Sequence, residues 1–262
     1  MIMIDLDYIR TFFPENIRTN NVFSKMMLKE YIQLMILDFI STTDYAQKLV
    51  FIGGTNLRII HGIDRFSEDL DFDCKQITNN DFMEMTDDVL HFLRRNGLNA
   101  ETKDSESSRL TAFRRSFYFP QLLFDLNLTG HKGERFLIKI ESQDQGVNYT
   151  PKVVTVNKCG FVFPQQVPPD SVLCAMKISA LLSRHKGRDF YDTMFLLSKT
   201  EPDYDFLNLK TGIKSKSEMK SALTALIETI DINHKMHDFE HLLFNSKKIN
   251  SVLMFDDFIK NL

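Results

Sequence analysis

The chain has 262 residues, of which 43% are hydrophobic, enough to bury the core of one large domain or two small ones. Its net charge of −3 gives no overall attraction for a polyanion, so a nucleic-acid partner has to be met by a local basic patch. No apolar run reaches bilayer-spanning length, and the start MIMIDLDYIR meets Asp5 and Asp7 before a signal-like stretch develops. A soluble, unprocessed, cytoplasmic protein without a membrane partner is therefore expected, with Cys74, Cys159 and Cys174 as reduced residues among apolar neighbours.

In chain order, the apolar residues between Ser24 and Ile40 recur with a broad helical period and predict a mostly buried helix. Leu49 to Ile52 reads as a short strand that stops at Gly53-Gly54, and Thr55 to His61 as a two-turn helix capped by Gly62. Asp69 to Cys74 is the next strand, and Asn80 to Asn96 a helix ended by Gly97. Arg109 to Asn127 and Arg135 to Ser142 read as further strands joined through the hydrophilic link Thr129 to Glu134. An irregular, Pro-bearing stretch from Val162 to Asp170 separates an α/β part, residues 1–165, from a helical part, residues 166–262. The helices expected there are Val172 to His185, Asp189 to Ser198, Ser217 to Thr229, and Phe239 to Leu262 in pieces.

The segment LVFIGGTNLRIIHGIDRFSEDLDFDC, Leu49 to Cys74, places an acid at every second position of an otherwise buried strand. Side chains at i and i+2 share a face roughly 7 Å apart, so Asp69, Asp71 and Asp73 face one way while Leu70, Phe72 and Cys74 face the core. Carboxylates that close repel unless a cation sits between them. Oxygen-only ligands with this spacing suit Mg²⁺ or Mn²⁺, which complete their shell with phosphate oxygens. An edge strand with a solvated acidic face is the alternative. Against it stands Gly53-Gly54-Thr55, which follows a strand and opens a helix, the arrangement in which backbone N–H groups hold phosphate.

Gly53-Gly54-Thr55 with Leu57-Arg58, then Arg65-Phe-Ser-Glu-Asp-Leu-Asp-Phe72, resembles the signature of the nucleotidyltransferase AbiEii/AbiGii toxin family of the polymerase-β-like superfamily. LIKIES, Leu137 to Ser142, and AMKISALLSRHKGRDFYD, Ala175 to Asp192, continue the resemblance in the expected order. It implies a nucleotidyltransferase-like mixed sheet with flanking helices, followed by a helical carboxyl-terminal domain that completes the active site. It also implies transfer from an NTP by the toxin of a toxin–antitoxin or abortive-infection system, a cognate antitoxin, and a tRNA 3′ end as first-choice acceptor.

Carried over residue by residue, the resemblance makes Asp69 and Asp71 the metal-binding pair and Glu141 the third carboxylate, with Asp125 its rival. Asp73 is a supporting or solvated residue. Lys177 binds the triphosphate, although a lysine among apolar neighbours is also read as a snorkelling side chain. Asp189 orients the lysine or the nucleotide, a role open to Asp192, and is otherwise a helix cap. Arg65 and Ser67 are further nucleotide-binding candidates. His237, Glu240 and His241 fit an HxxEH pattern with His234 nearby, but no distant carboxylate completes a zinc site, and a solvated face is expected. The basic groups available to RNA are Arg109, Arg114 and Arg115; Arg184, His185, Lys186 and Arg188; and Lys210, Lys214, Lys216 and Lys220. The motifs describe only the donor side, so a protein or small-molecule acceptor remains open, as does a binding module without chemistry.

Overall fold

A computed structural model describes residues 4–104 and 112–262, which divide into two compact units. The first unit comprises Met1–His61, Phe66–Gly146 and Lys152–Val167; the second comprises Gly62–Arg65, Val147–Pro151 and Pro168–Leu262. The last change of unit along the chain falls after Val167. The two short segments that join the helical unit are separated from it in sequence, so no composition shift announces them. Among the described residues no helix is long and apolar enough to cross a membrane.

The first unit begins with the short helices α1 (Leu6–Arg10) and α2 (Glu15–Arg18) and the long helix α3 (Ser24–Ser41), then β1 (Leu49–Ile52), α4 (Gly53–Ile59), β2 (Asp69–Cys74) and α5 (Asn79–Arg95). It continues through β3 (Glu101–Asp104), β4 (Phe113–Tyr118), α6 (Leu122–Asp125), β5 (Leu137–Gln143), β6 (Lys152–Lys158) and β7 (Phe161–Val167). Five strands form a mixed sheet in the order β1-β2-β5-β4-β3, in which β2 and β5 run parallel and the other pairs antiparallel. Phe51, Leu70, Phe117, Ile138 and Ile140 are fully buried. Each such side chain contributes about 1.5–3 kcal/mol through apolar burial. A capping box starts α5, with Thr78 and Asp81 bonding each other's backbone N–H, and Phe92 of this helix stacks on Phe39 of α3 with centroids 4.5 Å apart.

Two expectations change here. The stretch taken as irregular is strand β7, paired antiparallel with β6 about a turn at Cys159 and Gly160, whose φ values are 50° and 83°. Pro164 fits because each strand of a two-stranded sheet has a free edge, where a missing N–H costs no ladder bond. The strand expected over 109–127 is shorter, Phe113–Tyr118, and α6 takes up Leu122–Asp125. Arg109 lies outside the described residues.

The second unit holds α7 (Asp170–Arg184), α8 (Gly187–Leu197), α9 (Tyr204–Thr211), α10 (Lys216–Glu228), α11 (Ile232–Met236) and α12 (Phe255–Lys260). Its core includes Leu173, Ile178, Leu181, Phe190 and Leu207, all fully buried, and Phe190 meets Phe255 edge-on at 5.0 Å. Helix α7 ends at His185, which is left-handed with φ 53°. Gly187 is the first residue of α8, where an added Cβ would run into the Lys235 carbonyl oxygen.

Candidate active site

The turn from β1 into α4 is shaped around one carboxylate. Gly53 has φ +80°, and a Cβ there would collide with the carboxyl group of Asp71. Only glycine allows both the left-handed backbone and this close approach. The Thr55 hydroxyl donates to the Asp69 carbonyl, and Asn56 Nδ2 donates to the Phe51 carbonyl at 2.7 Å. The Thr55 side chain therefore fastens α4 to the start of β2, and the part of the GGT turn that remains for phosphate is its backbone. Gly53→Ala should cost about 1–2 kcal/mol in backbone strain and displace Asp71. A purified variant that folds but transfers little is the expected outcome, measured by circular dichroism and labelled-nucleotide transfer.

On β2, Asp69 and Asp71 are part-exposed on one face while Leu70 and Phe72 are buried on the other, as alternation requires. Asp73 departs from the pattern: it is fully buried and accepts from the Gln145 N–H at 2.9 Å, a supporting contact. The parallel register sets Asp69 opposite Lys139 and Asp71 opposite Glu141. Glu141 in turn faces Arg114 on β4, whose Nη2 donates to Oε2 at 3.0 Å while Nε lies 2.7 Å from Oε1. Lys139 Nζ lies 3.7 Å from both Asp69 Oδ1 and Glu141 Oε1. One face of the sheet thus carries the carboxylates of Asp69, Asp71 and Glu141, with Lys139 and Arg114 as the cations among them. Asp125, the rival of Glu141, is on α6 and exposed, away from this register.

A polar side of α3 supports the approach to Asp69. Gln33 Nε2 donates to the Ser67 carbonyl at 3.3 Å, Lys29 pairs with Glu68 at 3.1 Å, and Glu30 with Arg58 at 2.8 Å. Lys29, Glu30 and Gln33 are buried among the apolar residues that marked this helix, so periodicity alone did not reveal them. Ser67 itself is buried. Lys139 was also missed, although the alternation in LIKIES places it on the face of Glu141.

In the helical unit, Arg65 is turned away from a phosphate-binding role. Its guanidinium is 1% exposed, and Nε and Nη2 each donate to Asp192 at 2.7 Å. Lys177 Nζ joins them, 2.8 Å from Asp192 Oδ2, with its side chain 7% exposed. Burial pushes the Asp192 carboxyl up, but Arg65 and then Lys177 outweigh it and hold the group below the ordinary carboxylate range. Asp189 is not the cap of α8. It lies two residues inside the helix, fully buried, and binds Arg184 through both oxygens at 2.7 and 2.8 Å. His234, His237 and His241 are exposed, and α11 ends at Met236, so the HxxEH residues do not share one helix.

Among the described residues no three His, Cys, Asp or Glu side chains converge as a metal-ligand group. Glu141 is engaged by Arg114, and beside it on the same face lie Asp69 and Asp71. That pair fits a hard divalent ion, which binds through one or two protein carboxylates and fills its shell with water and phosphate oxygens. Burial pushes the Cys159 and Cys174 thiols each up to about 12, which keeps both protonated.

Residues 36–240 match the family described as nucleotidyl transferase AbiEii toxin, type IV TA system. The fold is similar to that of MenT4, a nucleotidyltransferase toxin from Mycobacterium tuberculosis, with a TM-score of 0.60 at 15% identity over 99% of this chain and 91% of that one. It is similar also to JHP933 from Helicobacter pylori, with a TM-score of 0.54 at 18% identity over 90% of each chain. No curated protein matches the chain.

Proposed function

The chain belongs to the AbiEii family of nucleotidyltransferase toxins of type IV toxin–antitoxin systems, and on that basis we propose that it transfers a nucleotide from an NTP to a hydroxyl of RNA, the tRNA 3′ end first, with Mg²⁺ or Mn²⁺ held by Asp69 and Asp71. The observation that carries the reading is the seating of Asp71 against the Gly53 turn, with Asp69 beside it on the same strand face. In this reaction the acceptor oxygen attacks the α-phosphorus, the bond to the bridging oxygen breaks, pyrophosphate leaves, and the hydroxyl proton passes to solvent. When bound, the divalent ion neutralises phosphate oxygens and acidifies an attacking hydroxyl. The residues around it do the positioning. Gly53 and Gly54 offer backbone N–H groups to the donor, Thr55 anchors that turn, Ser67 and the polar side of α3 hold the approach to Asp69, and Glu141 fixes Arg114.

Lys177 and Asp189 are part of the same reading, supported within the helical unit by their order. The Lys177 ammonium has three donors, and Asp192 accepts from it at a single oxygen, which fixes its direction and leaves capacity for a phosphate. Asp189 secures the connection between α7 and α8 through Arg184.

An RNA acceptor needs cations that are not consumed internally. Arg115 is buried and held by Thr86, Asp87 and Thr102, and Arg114 is engaged by Glu141, so this cluster no longer suits the role. Lys216 pairs with Glu201, while Lys186, Lys210 and Lys214 are exposed. Joint Lys186→Glu and Arg188→Glu substitution should weaken RNA binding and lower its salt slope by about one unit per lost contact, with nucleotide affinity unchanged. Incubating the protein with α-labelled NTPs and total cell extract tests the acceptor directly. Label in tRNA is expected, and label confined to protein or small molecules would move the acceptor to that class.

A further inference from the structure

We propose that Lys139 is the protein's own counter-ion at the metal position, exchanged for the divalent ion and setting how tightly that ion binds; this rests on the reading of Asp69 and Asp71 as metal ligands. The two cations on the acidic face are held differently. Arg114 donates one charge-assisted hydrogen bond to Glu141, from Nη2 at 3.0 Å, and its Nε stands in close ion-pair contact with the other carboxylate oxygen at 2.7 Å. Lys139 stands 3.7 Å from Asp69 and 3.7 Å from Glu141, beyond hydrogen-bonding length to either, with its side chain 31% exposed. An ion pair of that length and exposure is weakly bound. It nevertheless relieves the repulsion among carboxylates that register and Gly53 force together.

A cation that neutralises a site without being fastened in it gives way to one of higher charge. The four-carbon stem of lysine permits the movement, which the arginine fork would resist. Removing the ammonium deletes both a competitor and a repulsive charge beside the incoming ion. Two charges and one charge about 5 Å apart repel, even at water-like screening, enough for roughly a tenfold change in affinity.

The test is binding of Mn²⁺ alone, followed by electron paramagnetic resonance, to the wild type and to Lys139→Met, Lys139→Arg and Asp69→Asn. Lys139→Met should bind Mn²⁺ roughly tenfold more tightly, Lys139→Arg more weakly than the wild type because its guanidinium resists displacement, and Asp69→Asn weakly. Added Mn²⁺ should also raise the melting temperature of Lys139→Met by more than that of the wild type, and Lys139→Gln repeats both measurements if the methionine variant folds poorly. Unchanged or weaker binding in the Met and Gln variants, with binding lost in Asp69→Asn, would overturn the exchange and leave the metal reading standing. Absence of Mn²⁺ binding in every protein, or full binding in Asp69→Asn, would remove the metal reading and this inference with it.

Discussion

Asp71→Asn should lower nucleotide transfer by at least about a thousandfold while the protein remains folded, and Asp69→Asn should do the same. Asparagine keeps the shape that fits against Gly53, so the turn from β1 into α4 is not disturbed. What is lost is a negative charge for which a neutral amide is a poor substitute at a divalent ion. Both carboxylates are part-exposed, so neither substitution opens a cavity in the core. Transfer is read as α-label entering the acceptor per unit time, with circular dichroism as the check on folding. Near-wild-type transfer by either folded variant would contradict the assignment of that residue.

The largest effect on stability belongs to Asp192. Asp192→Ala leaves Arg65 and Lys177 buried without their carboxylate, and breaking a buried ionic group in this way costs about 3–5 kcal/mol. Lys177→Met should cost less, because Arg65 still holds Asp192 through two hydrogen bonds, and its main effect should fall on transfer. The pH dependence has a definite sign. The folded protein holds the Asp192 carboxyl below its ordinary value of about 3.9, so this stabilisation is complete above that pH and disappears as pH falls through the lower folded value. Urea unfolding from pH 7 downward should therefore show the gap between wild type and Asp192→Asn narrowing only in acid. A gap independent of pH would mean that the ionised carboxylate is not what holds the group.

The elements that carry the acidic pair were legible because each imposes a strong local pattern. Leu49–Ile52 is a buried run ended by glycine, and Asp69–Cys74 alternates acid with apolar residues, so both strands have the expected bounds. The hairpin β6–β7 was not legible, since Pro164 reads as a strand breaker unless it is known that the strand has a free edge. The buried polar residues of α3 were hidden for a related reason: Lys29, Glu30 and Gln33 find partners in segments tens of residues away, which periodicity does not report. Arg65 shows the same limit. Its place in the motif suggested a phosphate ligand, whereas its partner Asp192 lies 127 residues further along the chain. Local pattern thus indicated which carboxylates share a face, and long-range pairing decided which cations surround them.

The most direct test follows the two ends of the donor. Purified protein is incubated with total RNA and Mg²⁺ in parallel reactions with NTP labelled at the α- or the γ-phosphate, beside Asp71→Asn as control. Nucleotidyl transfer predicts α-label in RNA, γ-label in released pyrophosphate, and neither with the variant. Entry of γ-label into the acceptor, or α-label incorporation that persists in Asp71→Asn, would contradict the account.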